Sequence, residues 1–340
     1  MRRVIRRWPV GLWRQGAVLK ALITGITGFV GSHLAEYLLE VPAWEVAGTF
    51  YHQPDHIEHL RSRVRLFRAD LSRPEEAQAV LEEYCPDCIF HLAAQSLTAR
   101  SHQDPWQTLE TNIRMQLNVL EGVRRLNLPA RLLVVGSGEE YGLVHPEELP
   151  IREEQPFRPL NPYAVSKIAQ DMLGLQYHLS YGLDVVRVRP FNHIGPRQRL
   201  GFVAPDFAHQ IAEAEAGRRE PVIRVGNLDV SRDFSDVRDV VRAYYLAVVK
   251  GEAGEVYNIG SGQARSIREL LEGLLRLSTI PLRCEESPAQ ARPVDIPCIR
   301  ADFSKFQART GWKPEIPFEQ SLKDILDYWR AEVRKSLERQ

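Results

Sequence analysis

From Val18 to Pro190 the sequence alternates short runs rich in β-branched residues with amphipathic stretches of helical period, and few folds tolerate that rhythm. The runs are Leu19–Thr24, Glu45–Tyr51, Val64–Ala69, Cys88–Leu92, Arg131–Val135 and Asp184–Arg189. Between them lie Gly31–Leu39, Pro74–Tyr84, Pro105–Leu126 and Tyr163–Tyr181, each long enough for a helix. Strands separated by helices do not pair as hairpins. They line up in parallel, and the helices cover both faces of the sheet. The expectation is an α/β fold with a doubly wound parallel sheet, whose ligands bind at the carboxyl ends of the strands.

After Pro190 the rhythm changes. Pro and Gly punctuate Gly195–Pro205, Gly217–Pro221 and Pro281–Pro297, while Asp236–Lys250 and Phe318–Arg339 keep an amphipathic helical pattern and Val256–Ile259 looks like a strand. We expect a sheet domain over 18–190 and a smaller, interleaved carboxyl-terminal lobe over 191–340, with 222–262 partly returning to the sheet. Residues 1–17 are arginine-rich without the continuous apolar core of a secretory signal, and are expected to form a flexible basic extension.

The 44 basic and 44 acidic residues cancel, so no global field recruits nucleic acid or a membrane surface. An anionic ligand must be held by local arginines and backbone amides. No apolar run approaches the ~18 residues of a membrane span. Four cysteines in 340 residues make no disulfide framework, and a reducing cytoplasm fits. Cys85-Pro-Asp-Cys88 has redox-motif spacing but lacks the second pair a zinc ribbon needs. It falls where a helix ends and a strand begins, so ordinary partly buried thiols are expected, and no metal.

The first strand runs into Thr24-Gly25-Ile26-Thr27-Gly28-Phe29-Val30-Gly31 and straight on into a helix. Glycines there allow a tight turn and bring backbone close to a pyrophosphate, which the helix N-terminus favours electrostatically. A glycine triplet alone is weak evidence, but this one follows a strand and opens a helix, the context of a dinucleotide-binding Rossmann fold. The second strand should end in an acid for the ribose of NAD. It reads Phe50-Tyr51-His52-Gln53 instead. The missing acid points towards NADP(H), yet no arginine takes its place, and NAD(H) stays open.

Tyr163-Ala164-Val165-Ser166-Lys167 places a phenol and an ammonium four residues apart, on one face of a helix. Such a pair is usually a solvated surface. Here the preceding strand ends in Gly136-Ser137-Gly138-Glu139-Glu140, and the Ser137 hydroxyl could bond the same substrate oxygen. A lysine charge nearby is expected to lower the Tyr163 pKa, making it a general acid or base on a carbonyl or alcohol.

The glycine turn, His91-Leu92-Ala93-Ala94-Gln95, Ser137, Tyr163-x-x-x-Lys167 and Arg189-Pro190-Phe191-Asn192 occur in an order and spacing that resemble the extended short-chain dehydrogenase/reductases, the nucleotide-sugar epimerases, dehydratases and reductases. The resemblance covers roughly 18–329. It implies that Ser137 and Tyr163 flank the reacting oxygen and that Lys167 binds the nicotinamide ribose. It further implies a cofactor cleft lined by Gly25, Thr27, Gly28, Phe29, Val30, Gly31, Leu92, Ala93, Ala94 and Pro190, with Asp70 and Leu71 near the adenine. A homodimer built on the segments 105–126 and 163–181 is implied in the same way.

Within that family, Asn192-His193-Ile194-Gly195-Pro196, Val225-Gly226-Asn227-Leu228, Arg232-Asp233-Phe234 and Ala291-Arg292-Pro293-Val294-Asp295 are similar to the branch that reduces GDP-4-dehydro-6-deoxy-D-mannose to GDP-D-rhamnose. The implied partner is a GDP-linked 6-deoxy-hexose. Asn192, Arg232 and Arg292 would hold its diphosphate, guanidinium forks suiting phosphate oxygens, with Asn227 and Asp295 completing the substrate site. Read without the family, the arginines are surface residues or ion pairs with Asp233 or Asp295. GDP-mannose 4,6-dehydratase is the alternative, because Glu139 stands where those enzymes carry a glutamate base. Gly138, where they tend to place a hydroxyl or an acid, argues against it, as does His193-Ile194-Gly195-Pro196. A non-catalytic dinucleotide-binding module is a third reading, opposed by the presence of both Tyr163 and Lys167.

Overall fold

A computed structural model describes residues 18–52, 55–287 and 296–338. The arginine-rich 1–17, Gln53, Arg292 and Asp295 lie outside the described residues. Six strands lie between residues 19 and 190: β1 (Leu19–Thr24), β2 (Trp44–Phe50), β3 (Arg65–Arg68), β4 (Cys88–His91), β5 (Arg131–Val135) and β6 (Asp184–Pro190). Later come β7 (Asn192–Ile194), β8 (Val222–Val225), β9 (Ser231–Asp236), β10 (Val256–Ile259), β11 (Ala264–Ser266) and β12 (Arg283–Glu286). The large sheet has the order β10-β6-β5-β4-β1-β2-β3, parallel throughout. The reversal of strand order falls between β1 and β4, so their carboxyl ends open the crevice where such folds bind ligands.

Side chains alternate between two buried faces, as strand geometry requires. Ala21, Ile23, Phe90, Leu133, Val186 and Val188 face α1 (Phe29–Glu40) and, further along the chain, a helix over Val237–Lys250. Leu22, Ile89, Leu132, Val134 and Val185 face α2 (Pro74–Tyr84) and two long helices, with the short α3 (Thr98–Gln103) lying before them. The long helices are α4 (Pro105–Arg125) and α5 (Pro162–Tyr181). Cys88 is buried in β4, while Cys85 is exposed at the left-handed end of α2, and both are free thiols.

The later helices are α6 (Val203–Glu215), α7 (Val237–Lys250), α8 (Ile267–Arg276), α9 (Ser304–Thr310) and α10 (Phe318–Glu338), of which α7 and α9 pack with the large sheet. Helices α6, α8 and α10 share a core of their own around Phe207, Ile223, Leu270 and Ile325. Of 222–262, β10 and α7 lie on the large sheet, whereas β8 pairs with β12 and β9 sits between β7 and β11. Among the described residues no helix is long and apolar enough to cross a membrane, and no group of three His, Cys, Asp or Glu side chains could hold a metal ion.

Candidate active site

The carboxyl ends of β1 and β4 are stitched together by one hydroxyl. Thr24 Oγ1 accepts from the amides of Leu92 and Ala93 at 3.0 and 3.1 Å and lies 3.0 Å from His91 Nδ1. The chain then turns at Gly25, whose φ of +70° suits glycine and whose missing Cβ would lie 3.2 Å from Ala93 Cα. Gly28 caps α1 with no side-chain acceptor, so the first amides of the helix are left open. A Cβ on Gly31 would strike the Gly25 carbonyl and lie 2.8 Å from Ile26 Cα. Open amides, a helix dipole and bare backbone fit a dinucleotide pyrophosphate.

Gly25, Phe29, Val30 and Gly31 line one side of a cleft, with Leu92, Ala94 and Pro190 also in its wall. Thr27, Gly28, Ala93, Asp70 and Leu71 do not line it. Ala93 backs onto Gly25, Leu71 is buried, and Asp70 Oδ1 accepts from the Ser72 amide and hydroxyl at 3.0 and 2.6 Å.

Across the cleft stand Ser137, Tyr163 and Lys167. Helix α5 starts where Asn161 Oδ1 accepts from the Ala164 amide at 2.7 Å and Pro162 takes a position with no need of an amide hydrogen. That start sets Tyr163 in the first turn and Lys167 one turn on. Lys167 is 6% exposed, Nζ donates to the Val135 carbonyl at 2.9 Å, and it lies 6.0 Å from the centre of the Tyr163 ring. Burial lowers its pKa to about 8, opposed by the negative charge of Glu140.

The expected lowering of the Tyr163 pKa is not found. Tyr163 is part-exposed, yet its hydroxyl sits deep enough that burial pushes it well above the usual phenol range. A hydrogen bond with Ser137 opposes that shift, and the charges of Glu139 and Glu140 add to it. Sequence shows the lysine at the right spacing but not the burial of the phenol, which sets the direction of the shift.

Ser137 Oγ accepts from the Glu139 amide at 3.1 Å and shares a hydrogen bond with Tyr163, so its proton stands ready for an oxygen placed between the two. Glu139 is half-buried at the cleft wall, where its Oε2 accepts from Asn161 Nδ2 at 3.2 Å. A Cβ on Gly138 would lie 3.0 Å from the Phe191 ring, so that ring fills the space beside Glu139.

The cleft is closed by Asn192 and His193 of β7, by Gln198, Arg199 and Phe202 and by Tyr244 of α7. Asn192 and His193 fall in a segment the sequence singles out; the others come from the loop that follows β7 and from α7, whose approach no local pattern reveals. The His193 ring stacks on Phe29, with centroids 5.9 Å apart. Arg197, at φ +69°, is held by Glu36 on α1 at 2.6 and 2.8 Å and by His33 Nδ1 at 2.6 Å. The substrate-side loop is thereby tied to the cofactor helix.

Arg232 and Asn227 do not line the cleft. Arg232 is 7% exposed, and its NH1 donates to the carbonyls of Ser231 and Ile296 at 2.9 and 2.7 Å. Asn227 Oδ1 accepts from the Asp229 amide at 3.0 Å. Among the described residues no arginine pairs with Asp233, one of the two mates considered above. Its carboxylate accepts from the amides of Ser261, Gly262 and Ala301 and from the Ser261 hydroxyl, at 2.6–3.0 Å.

Known proteins share this architecture. Residues 22–325 match the family model described as GDP-mannose 4,6 dehydratase. GDP-6-deoxy-D-mannose reductase of Pseudomonas aeruginosa is 39% identical over 316 residues, 93% of this chain and 99% of that one. GDP-mannose 4,6-dehydratase of Yersinia enterocolitica is 30% identical, over 90% of this chain and 92% of its own. The solved structure of RMD from P. aeruginosa complexed with NADPH superposes with a TM-score of 0.81 at 38% identity, covering 93% of this chain and 100% of that one. The cleft, its glycine cradle and these likenesses together make the chain a member of the GDP-mannose 4,6-dehydratase-type family of extended short-chain dehydrogenase/reductases.

Proposed function

We propose that the protein reduces the C4 keto group of GDP-4-dehydro-6-deoxy-D-mannose to give GDP-D-rhamnose, using NADPH or NADH. The observation that carries this reading over the dehydratase is Gly138. A Cβ there would lie 3.0 Å from the Phe191 ring, and with glycine at this position no acid or hydroxyl stands between Ser137 and Glu139 to help expel water from C6. A ketone reduction needs less: two hydrogen-bond donors at one oxygen and a proton for the alkoxide.

The bound dinucleotide would supply the hydride. Gly25 and Gly31 with the open amides of α1 would hold its pyrophosphate, and Lys167 its nicotinamide ribose. Ser137, with its oxygen already accepting, presents its proton to the carbonyl as a preorganised donor. Tyr163, kept protonated by burial, gives its proton to the forming alkoxide. Glu139 is read as orienting substrate hydroxyls.

Asn192, Arg232 and Arg292 would serve the diphosphate. A homodimer through α4 and α5 is supported by apolar side chains left open there, with Trp106 71% and Leu179 72% exposed. Light scattering at the monomer mass would overturn it. We place its work in the cytoplasm, where its free cysteines suit a reducing environment.

The function is tested by two incubations read by mass. GDP-4-keto-6-deoxymannose with stoichiometric NADPH or NADH should gain two hydrogens, and GDP-mannose with catalytic NADP should stay unchanged. Loss of water from GDP-mannose would make the protein a dehydratase and give Glu139 the role of base.

A further inference from the structure

Glu139 and Glu140 are adjacent acids with opposite fates. Glu139 reaches the cleft, whereas Glu140 is 0% exposed. Its Oε1 accepts from the Ser137 amide at 2.7 Å. Its Oε2 lies 3.2 Å from Arg189 Nε, an ion pair without hydrogen-bond alignment. Arg189 in turn grips Asp171 Oδ2 through Nε and NH2 at 2.9 and 2.6 Å. Asp171 stands on α5 one turn past Lys167 and two past Tyr163, on the same face. A chain of buried polar contacts therefore runs from the serine turn to the helix bearing the other two groups.

Formally Ser137 and Glu140 make a capping box, but they cap a single 3-10 turn of four residues. Burying a carboxyl group with its partners costs more than one such cap returns. The sequence also makes room for it, because a Cβ on Gly136 would collide with Glu140 Oε1.

We propose that Glu140 is a positioning residue for the reduction, fixing the Ser137 turn and tying it through Arg189 and Asp171 to the helix that carries Tyr163 and Lys167. The proposal rests on the reductase reading. With its amide held by Glu140 and its hydroxyl oxygen accepting from the Glu139 amide, Ser137 is fixed at the strand end with its proton restricted to the two positions that remain on the oxygen.

The test is a double-mutant cycle with Ser137. In Glu140→Leu, kcat for the keto sugar nucleotide is expected to fall about 10- to 100-fold, the scale of one misplaced oxyanion donor. KM and the NADPH dissociation constant should stay within about threefold of wild type. Glu140→Gln, whose amide oxygen still accepts from Ser137, should recover most of that kcat. In a Ser137→Ala background, Glu140→Leu should cost less than about twofold more.

An unchanged kcat in Glu140→Leu overturns the proposal. So does a full further loss in the Ser137→Ala background, or a loss of NADPH binding that matches the loss of kcat. Should Glu140→Leu fail to fold, Gly136→Ala displaces the same carboxyl and carries the same expectations and refutations. A wild-type protein that reduces no keto sugar nucleotide overturns the reductase reading itself. An active wild type with indifferent variants overturns only the role of Glu140.

Discussion

Replacing Gly31 by alanine tests the cofactor cradle directly. The new Cβ would lie 2.8 Å from Ile26 Cα and against the Gly25 carbonyl, all backbone. Carbon–carbon contacts settle near 3.5 Å, so the first turn of α1 must retreat by roughly 0.7 Å. A phosphate hydrogen bond of about 2.9 Å would stretch to about 3.6 Å, beyond useful range. Losing one charge-assisted bond of ~1.5–3 kcal/mol weakens NADPH binding by roughly 10- to 100-fold. Overpacking should also cost ~1–3 kcal/mol of stability. NADPH fluorescence titration reads the first effect and calorimetry the second. Gly217→Ala serves as a control, since nothing lies within 4 Å of its Cβ and only its φ of +70° is strained. Gly31→Ala protein that binds NADPH within threefold of wild type would refute the steric argument.

Tyr163→Phe should bind NADPH normally and lose about 10²- to 10⁴-fold in turnover, and retained turnover would remove Tyr163 from the acid role. Lys167→Met should stabilise the cofactor-free protein at pH 7 while abolishing turnover. Folded Lys167 gives up its proton near pH 8, below the 10.5 of an ordinary lysine. Between those values the unfolded chain holds more protons, so rising pH favours the folded wild type and the gap to Lys167→Met should narrow. Thermal melts from pH 7 to 10 that show a constant or widening gap would contradict the burial. Arg232→Ala should raise KM for the sugar nucleotide more than it lowers kcat, the diphosphate being remote from the reacting carbon; a lower melting temperature with unchanged KM would make Arg232 structural.

The sheet strands were legible because alternation and β-branching mark them, and β1 and β5 begin and end where the pattern places them. Two helices of the second lobe were not. Pro205 looks like a helix breaker but sits in the first turn of α6, where a missing amide hydrogen does no harm. Gly273 interrupts α8, although Ser266 and Glu269 form its capping box. The glycine has a packing reason no local pattern contains, since a Cβ there would strike Leu322 of α10. In the site, Ser137, Tyr163 and Lys167 were legible from motif order. That Glu139 faces the cleft while Glu140 is buried was not, because adjacent identical side chains differ only in what the fold packs against them.

The placement of β10 bears on how the protein is made. Val256–Ile259 adds the seventh strand beside β6, and α7 covers the same end of the sheet. A nascent chain that has emerged only as far as Pro190 holds six strands, an open edge on β6 and one apolar face that α1 covers only in part. The missing pieces arrive roughly seventy residues later, on the order of 4 to 14 seconds at ordinary translation rates. During that interval Val186 and Val188 lack the cover of α7, and the β6 edge is a template for any other strand. The cofactor half of the molecule is thus not a separable module during synthesis, and cutting the gene after Pro190 should yield an aggregating product rather than a dinucleotide-binding domain.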